Sequence, residues 1–261
     1  IPLQIILFNS FTLGASALRG SNPIITDVLP ADPAAMVYDG PVYLYTGHDE
    51  APDKTNRYMM KDWLCFSSTD MVNWTPHGSP LAVKDFAWSK GDAWAGQVIA
   101  RNGKFYWYVP TSHATIHGFA IGVAVADQPT GPFKDALGHP LVEAGKPAEL
   151  RGQQIDPCPF VDDTAGNPAY LYWGNGHMWV RKLAADMISF DGELKDVTPK
   201  FSGGRFNEGT FVIKRKGVYY FMWSENDARS ADYRVAYGTS DSPLGPIKVA
   251  EQRIILSKSG S

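Results

Sequence analysis

Gln97-Val98-Ile99-Ala100-Arg101-Asn102-Gly103-Lys104-Phe105-Tyr106-Trp107-Tyr108-Val109 is two β-rich runs joined at Asn-Gly. Both central residues of such a pair tolerate positive φ, which suits the two-residue turn of a β-hairpin. Downstream, Ala120-Ile121-Gly122-Val123-Ala124-Val125-Ala126 reads as a third strand, and Pro129-Thr130-Gly131-Pro132-Phe133 as a turn into a fourth.

The same plan recurs on both sides. Towards the N-terminus, the run ending in Val37-Tyr38 meets Val42-Tyr43-Leu44-Tyr45-Thr46 across Asp39-Gly40. Trp63-Leu64-Cys65-Phe66-Ser67-Ser68 follows as a third strand, with Trp74 marking a fourth. Towards the C-terminus, Cys158-Pro159-Phe160-Val161 and Ala169-Tyr170-Leu171-Tyr172-Trp173 flank Gly166-Asn167, and Met178-Trp179-Val180-Arg181-Lys182-Leu183 is the third strand. The last copy opens at Thr210, turns at Lys216-Gly217 and continues through Val218-Tyr219-Tyr220-Phe221-Met222-Trp223-Ser224. Its Pro243-Leu244-Gly245-Pro246-Ile247 echoes the second copy's Pro129-Thr130-Gly131-Pro132-Phe133. A four-strand unit repeating at roughly 50–65 residues is the spacing of propeller blades. No segment of useful length has helical periodicity, and almost no position calls for a βαβ connection.

Radial stacking of blades puts each first strand along a central channel. Three first strands begin beside an acidic residue: Asp32, Asp156 and Glu208. Glu208 lies between Asn207 and Gly209, ahead of the apolar run Phe211-Val212-Ile213. Burial raises a carboxyl pKa, and a carboxyl that keeps its proton near neutral pH can act as a general acid. Three carboxyls from three blades would meet at one end of the channel. Like charges that close cannot all ionise, so the cluster reads as an acid–base or metal site. The second copy carries Trp94 at the matching place. Trp94 reads as core or, from its first-strand entry, as a stacking wall for a ligand, and Phe206 as a pocket residue beside Glu208. Pro33 and Pro157 are expected to hold the preceding Asp in an extended conformation.

Other residues read as structural. Asp162 and Asp163 fall at a hairpin turn, where Asp is favoured. Trp173, Trp223 and Arg234 fit blade packing. Cys158 fits a small buried hydrophobe. His48, His113 and His177 stand alone, without metal-ligand spacing.

Over 261 residues the net charge is −3, against a nucleic-acid-binding surface. Aromatic content is 13%, which suits strands and also stacking on sugars or other flat ligands. Cys65 and Cys158 make neither a disulfide framework nor a metal motif. Residues 1–20 are apolar, small and uncharged up to Ala17. They read as a signal-peptide remnant or a disordered tail, and residues 21–261 as the propeller domain. A signal remnant makes the protein secreted or extracytoplasmic. No other stretch is long and apolar enough for a membrane helix.

Ala31-Asp32-Pro33, Ile155-Asp156-Pro157 with Phe160-Val161-Asp162-Asp163, and Asn207-Glu208-Gly209 together resemble glycoside hydrolase family 43. Ala93-Trp94-Ala95-Gly96-Gln97-Val98-Ile99 and Phe221-Met222-Trp223-Ser224-Glu225 are similar to its xylosidase/arabinofuranosidase branch. The resemblance implies an all-β, five-bladed β-propeller and an inverting exo-glycosidase, acting on β-xylosides and/or α-L-arabinofuranosides of xylan and arabinoxylan oligosaccharides. It implies Asp32 as general base, Glu208 as general acid, and Asp156 as the carboxylate that orients the acid and raises its pKa. No cofactor is required, no metal ligand is assigned, and a structural calcium is expected in a complete channel. The enzyme is expected to be a monomer, with neither nucleic acid nor membrane as partner. The resemblance also implies a fifth blade with a His-containing strand and a substrate-facing Arg. Only four copies are found, so the chain reads as lacking its last blade, with an open edge and poor stability or lost activity. The alternatives are a retaining sucrose/fructan-type propeller hydrolase and a non-catalytic carbohydrate-binding propeller. Ala31 before Asp32, Ile155 before Asp156 and Gly209 after Glu208 all depart from the retaining pattern.

Overall fold

The structure, a computed structural model, describes residues 23–257 apart from 53 and 56. The leader or tail read into residues 1–20 lies outside the described residues. Four antiparallel sheets follow one another along the chain as blades of a β-propeller. Blade I is β1 (Pro30–Val37), β2 (Val42–Asp49), β3 (Met60–Ser68) and β4 (Thr75–Pro76), with β5 (Leu81–Ala82) also on β3. In blade II, β6 (Ser89–Gly91) and β7 (Gln97–Arg101) both pair with β8 (Lys104–His113), followed by β9 (Phe119–Ala126) and β10 (Lys134–Asp135). Blade III is β11 (Cys158–Val161), β12 (Ala169–Trp173), β13 (Trp179–Leu183) and β14 (Lys195–Asp196). Blade IV is β15 (Phe206–Arg215), β16 (Val218–Glu225), β17 (Arg234–Ser240) and β18 (Lys248–Ser257).

The expected turns make the inner hairpins. Asn102 and Gly103 take φ of 52° and 72°, and Lys216 and Gly217 take 50° and 78°. Positive φ at both positions matches the right-handed twist of the flanking strands. The inner strands β1, β7, β11 and β15 are neighbours in that order around the channel.

The blades are held together face to face. One cluster, with Tyr45, Trp63, Phe105 and Trp107, fills the space between blades I and II. A second, with Tyr108, Leu171 and Trp173, joins II to III. A third, with Tyr172, Phe221 and Trp223, joins III to IV. Rings meet edge-on, as Tyr45 and Trp107 do at 4.9 Å and 65°, which matches the charge distribution of aromatic faces and edges. Among the described residues no such cluster joins blades IV and I. Phe211 and Ile213 of β15 stay 38% and 39% exposed. Trp173 and Trp223 are blade packing as expected, and Cys158 is fully buried.

Asp162 is more than a turn residue. It is 2% exposed, and its Oδ1 accepts from Lys214 Nζ at 2.8 Å. Its Oδ2 accepts from the Tyr219 hydroxyl at 2.5 Å, and Asp163 also pairs with Lys214. The pair ties the far end of β11 in blade III to β15 in blade IV. Arg234 is structural as expected. It and Arg253 grip the fully buried Glu225 at 2.8 and 2.6 Å.

Candidate active site

Asp32, Asp156 and Glu208 line one cavity of about 670 Å³. They come from blades I, III and IV, at the end of the channel where β1, β11 and β15 begin. Local backbone irregularity aims each of them. The register between β1 and β2 slips between Ala31 and Ala34, around Asp32. The register between β15 and β16 slips on both sides of Glu208. A bulge adds a residue to one strand and redirects its side chains. Asp32 and Glu208 therefore sit inside their strands, which begin two residues before each acid, at Pro30 and Phe206, rather than just after it.

The expected extended conformation at the two Asp-Pro steps is not what forms. Asp32 and Asp156 have φ of 50° and 55°. A positive φ in a non-glycine residue is strained and clusters at functional sites. Gly209, with φ of 68°, takes the same turn after Glu208, where a Cβ would sit 3.2 Å from Ser224 Oγ. The Asp-Pro motif is thus a kink that swings the carboxylate into the cavity.

Hydrogen bonds then link the acids. The Gly209 amide donates to Asp156 Oδ2 at 2.8 Å. Asn175 Nδ2 donates to Glu208 Oε2 at 3.0 Å, and the Tyr233 hydroxyl donates to Oε1 at 3.1 Å. Asp156 is pushed up to about 8, first by burial and then by the Glu208 charge; the Gly209 amide opposes this and Asp32 adds to it. Asp32 is also raised, first by loss of bulk solvation against the cavity wall and then by Glu208. Near neutral pH the cluster therefore holds a proton. Burial and the negative charge of Glu208 place that proton on Asp156.

Trp94 lines the cavity and is half-buried. Its ring lies 4.1 Å from Phe119, tilted by 31°. Its backbone is held from both blades: Trp63 Nε1 donates to the Trp94 carbonyl at 2.7 Å, and the Trp94 amide donates to Pro110 at 3.3 Å. Phe206 does not line the cavity. It is 3% exposed and packs in the cluster between blades III and IV. The register slip between Phe206 and Glu208 breaks the period of two and turns the two side chains apart. Asn175, Tyr233 and the 70%-exposed Tyr58 belong to the site and carry no motif of their own. The sequence signal that points to Asn175 is the Gly174-Asn175-Gly176 turn, which follows the first hairpin of the blade that Asp156 opens. His48 pairs with Asp62 and His177 with Asp196, each at 2.8 Å. Among the described residues no group of three or more His, Cys, Asp or Glu side chains is arranged to hold a metal ion, so the expected calcium finds no ligand set there.

Comparison with known proteins agrees with this geometry. The family model described as glycosyl hydrolases family 43 matches residues 21–261. A β-D-galactofuranosidase of Aspergillus niger is 30% identical over 95% of this chain and 71% of its own length. An arabinoxylan arabinofuranohydrolase of Bacillus subtilis is 33% identical over 89% of this chain, which spans about half (51%) of that protein. The structure of a β-xylosidase/α-arabinofuranosidase from a compost microbial metagenome, in a calcium-free complex with xylotriose, superposes with a TM-score of 0.77 at 28% identity, covering 92% of this chain and 82% of that one. The chain belongs to glycosyl hydrolases family 43 and is a glycosidase.

Proposed function

We propose that this chain carries the catalytic machinery of an inverting exo-glycosidase for β-xylosides and/or α-L-arabinofuranosides of plant cell-wall polysaccharide. The observation that carries the reading is the meeting of Asp32, Asp156 and Glu208, from three blades, in one cavity. Asp32 acts as general base and Glu208 as general acid, and Asp156 tunes the acid. Asp32 takes a proton from a water whose oxygen bonds to the anomeric carbon. The bond from that carbon to the leaving oxygen breaks on the opposite face, and this oxygen takes the proton of Glu208. One water is consumed, and one proton passes from Glu208 to Asp32, to be returned through solvent. An inverting pair needs about 6.5–9.5 Å between its carboxyls to admit the water, which placement on different blades favours. Trp94 offers an apolar face for the sugar ring.

The names of the relatives span xylosides, arabinofuranosides and a β-D-galactofuranoside, so all three sugars belong in the substrate panel. The polymeric substrate favours a secreted enzyme, and we propose that it works as a monomer. Early-time NMR of the released sugar tests the stereochemistry: the inverted anomer is expected, and a retained anomer rejects the mechanism. Glu208→Ala must lose hydrolysis of nitrophenyl glycosides that need acid assistance; unchanged activity removes Glu208 as the acid.

A further inference from the structure

We infer that Asn175 is a positioning residue that makes Oε1 of Glu208, the oxygen facing Tyr233, the one that delivers the proton. The inference rests on the reading of Glu208 as general acid. Asn175 sits in the loop after β12, and that loop is fastened to the entries of both carboxylate strands. The Gly174 amide donates to Ile155, the residue before Asp156, at 2.8 Å. The Gly176 amide donates to Asn207, the residue before Glu208, at 2.7 Å. The Asn175 amide donates to Gln153 at 3.1 Å. Gly174, at φ 123°, makes the turn, and a Cβ there would lie 2.3 Å from the His177 carbonyl. The loop is therefore a brace with little freedom, and it aims the Asn175 side chain at Glu208.

The two partners of Glu208 differ chemically. The side-chain NH₂ of Asn175 only donates, so the oxygen it faces, Oε2, accepts and is a poor place for the acidic proton. The Tyr233 hydroxyl both donates and accepts, so it tolerates a charged or a protonated Oε1 by rotating. Tyr233 stays neutral through the working range, because burial pushes its hydroxyl up to about 12, with the Glu208 charge adding to the rise and a bond with Ser224 opposing it. Tyr233 lines the cavity, as Glu208 does, so the contact between its hydroxyl and Oε1 lies at the cavity wall.

Leaving-group dependence separates this role from a structural one. The full chain and its Asn175→Ala, Asn175→Asp and Glu208→Gln forms are assayed on aryl glycosides running from phenol to 2,4-dinitrophenol, made with a sugar that the wild type hydrolyses. A dinitrophenolate leaves without a proton, whereas a phenolate needs one. In Asn175→Ala, kcat is expected to fall at least about tenfold on the phenyl glycoside and by less than about threefold on the dinitrophenyl one, since general acid assistance is worth roughly 10²–10⁴-fold. Asn175→Asp keeps the size and the loop but lets a proton settle against Oε2, so it is expected to show the same split. It carries the test if Asn175→Ala does not fold. Equal losses on both substrates, or none, overturn the inference provided Glu208→Gln shows the split. If Glu208→Gln shows no split either, the acid assignment itself fails.

Discussion

The backbone amide of Gly209 donates to Oδ2 of Asp156 at 2.8 Å, tying the strand that carries Glu208 to the carboxyl of the neighbouring blade. The bond crosses 53 positions of sequence and joins β15 to the entry of β11. It holds Asp156 against Glu208, where the two charges repel, and so sets the distance over which one carboxyl tunes the other.

That repulsion gives a pH dependence with a definite sign. The proton held by Asp156 is lost near its raised pKa, about 8, so kcat/KM is expected to fall as pH rises through that value. In Asp156→Asn the carboxyl that keeps this proton up to about pH 8 is gone, so the cluster is without it at lower pH. The basic limb of the profile should move down by about one pH unit or more. A limb that stays in place refutes the tuning role.

The same carboxyl has a cost in stability. Its folded pKa lies above its unfolded value, so the folded state binds the proton more tightly. The resulting stability is fully present below the ordinary carboxylate range and is lost as pH rises towards about 8. Asp156→Asn removes this dependence. Its melting temperature should match the wild type at pH 4 and exceed it at pH 9, while its activity is low. Thermal scans at the two pH values settle the point.

Asp32 should behave differently from Glu208 across leaving groups. Every substrate needs an activated water, whatever departs. Asp32→Ala is therefore expected to lose about 10²–10⁴-fold in kcat on phenyl and dinitrophenyl glycosides alike. A variant that retains the dinitrophenyl rate shows that another group is the base.

Trp94 is expected to act in binding. Removing a half-buried aromatic wall forfeits on the order of 1.5–3 kcal/mol of apolar contact. Trp94→Ala should lower kcat/KM about tenfold or more, and Trp94→Phe much less. Steady-state kinetics on the preferred aryl glycoside measure the difference.

At the far end of the channel, Asp162→Ala removes the buried partner of Lys214 and Tyr219. The variant should melt about 5–10 °C lower, since an uncompensated buried charge is strongly destabilising. The kcat of the folded fraction should be unchanged, because the tie lies away from Glu208. A large loss of kcat at full folding contradicts this placement.

The blade repeat was legible because its signals are local. Alternating and β-branched runs form strands, and Asn102-Gly103 and Lys216-Gly217 supply residues that accept positive φ. Asp32, Asp156 and Glu208 were legible for a related reason: three equivalent positions in a repeat must meet once the blades are arranged radially. The carboxylate set, its convergence and the family therefore follow from the order of residues alone.

Tertiary structure decided how each acid is aimed. Asp-Pro reads as extended, but Asp32 and Asp156 are kinked at φ of 50° and 55°, because the surrounding blades over-determine a strained backbone that no dipeptide preference selects. Phe206 reads as a neighbour of Glu208, and a single register slip sends it into the core. Asn175 and Tyr233 reach the acid from 33 positions before it and 25 after it, and their contact exists only in the folded chain. Burial and the nearness of like charges are also properties of the assembled cavity. The sequence thus determined which carboxyls are present and that they converge, while the fold alone decided which of them burial and charge push up to about 8 and which side chains hold the acid in place.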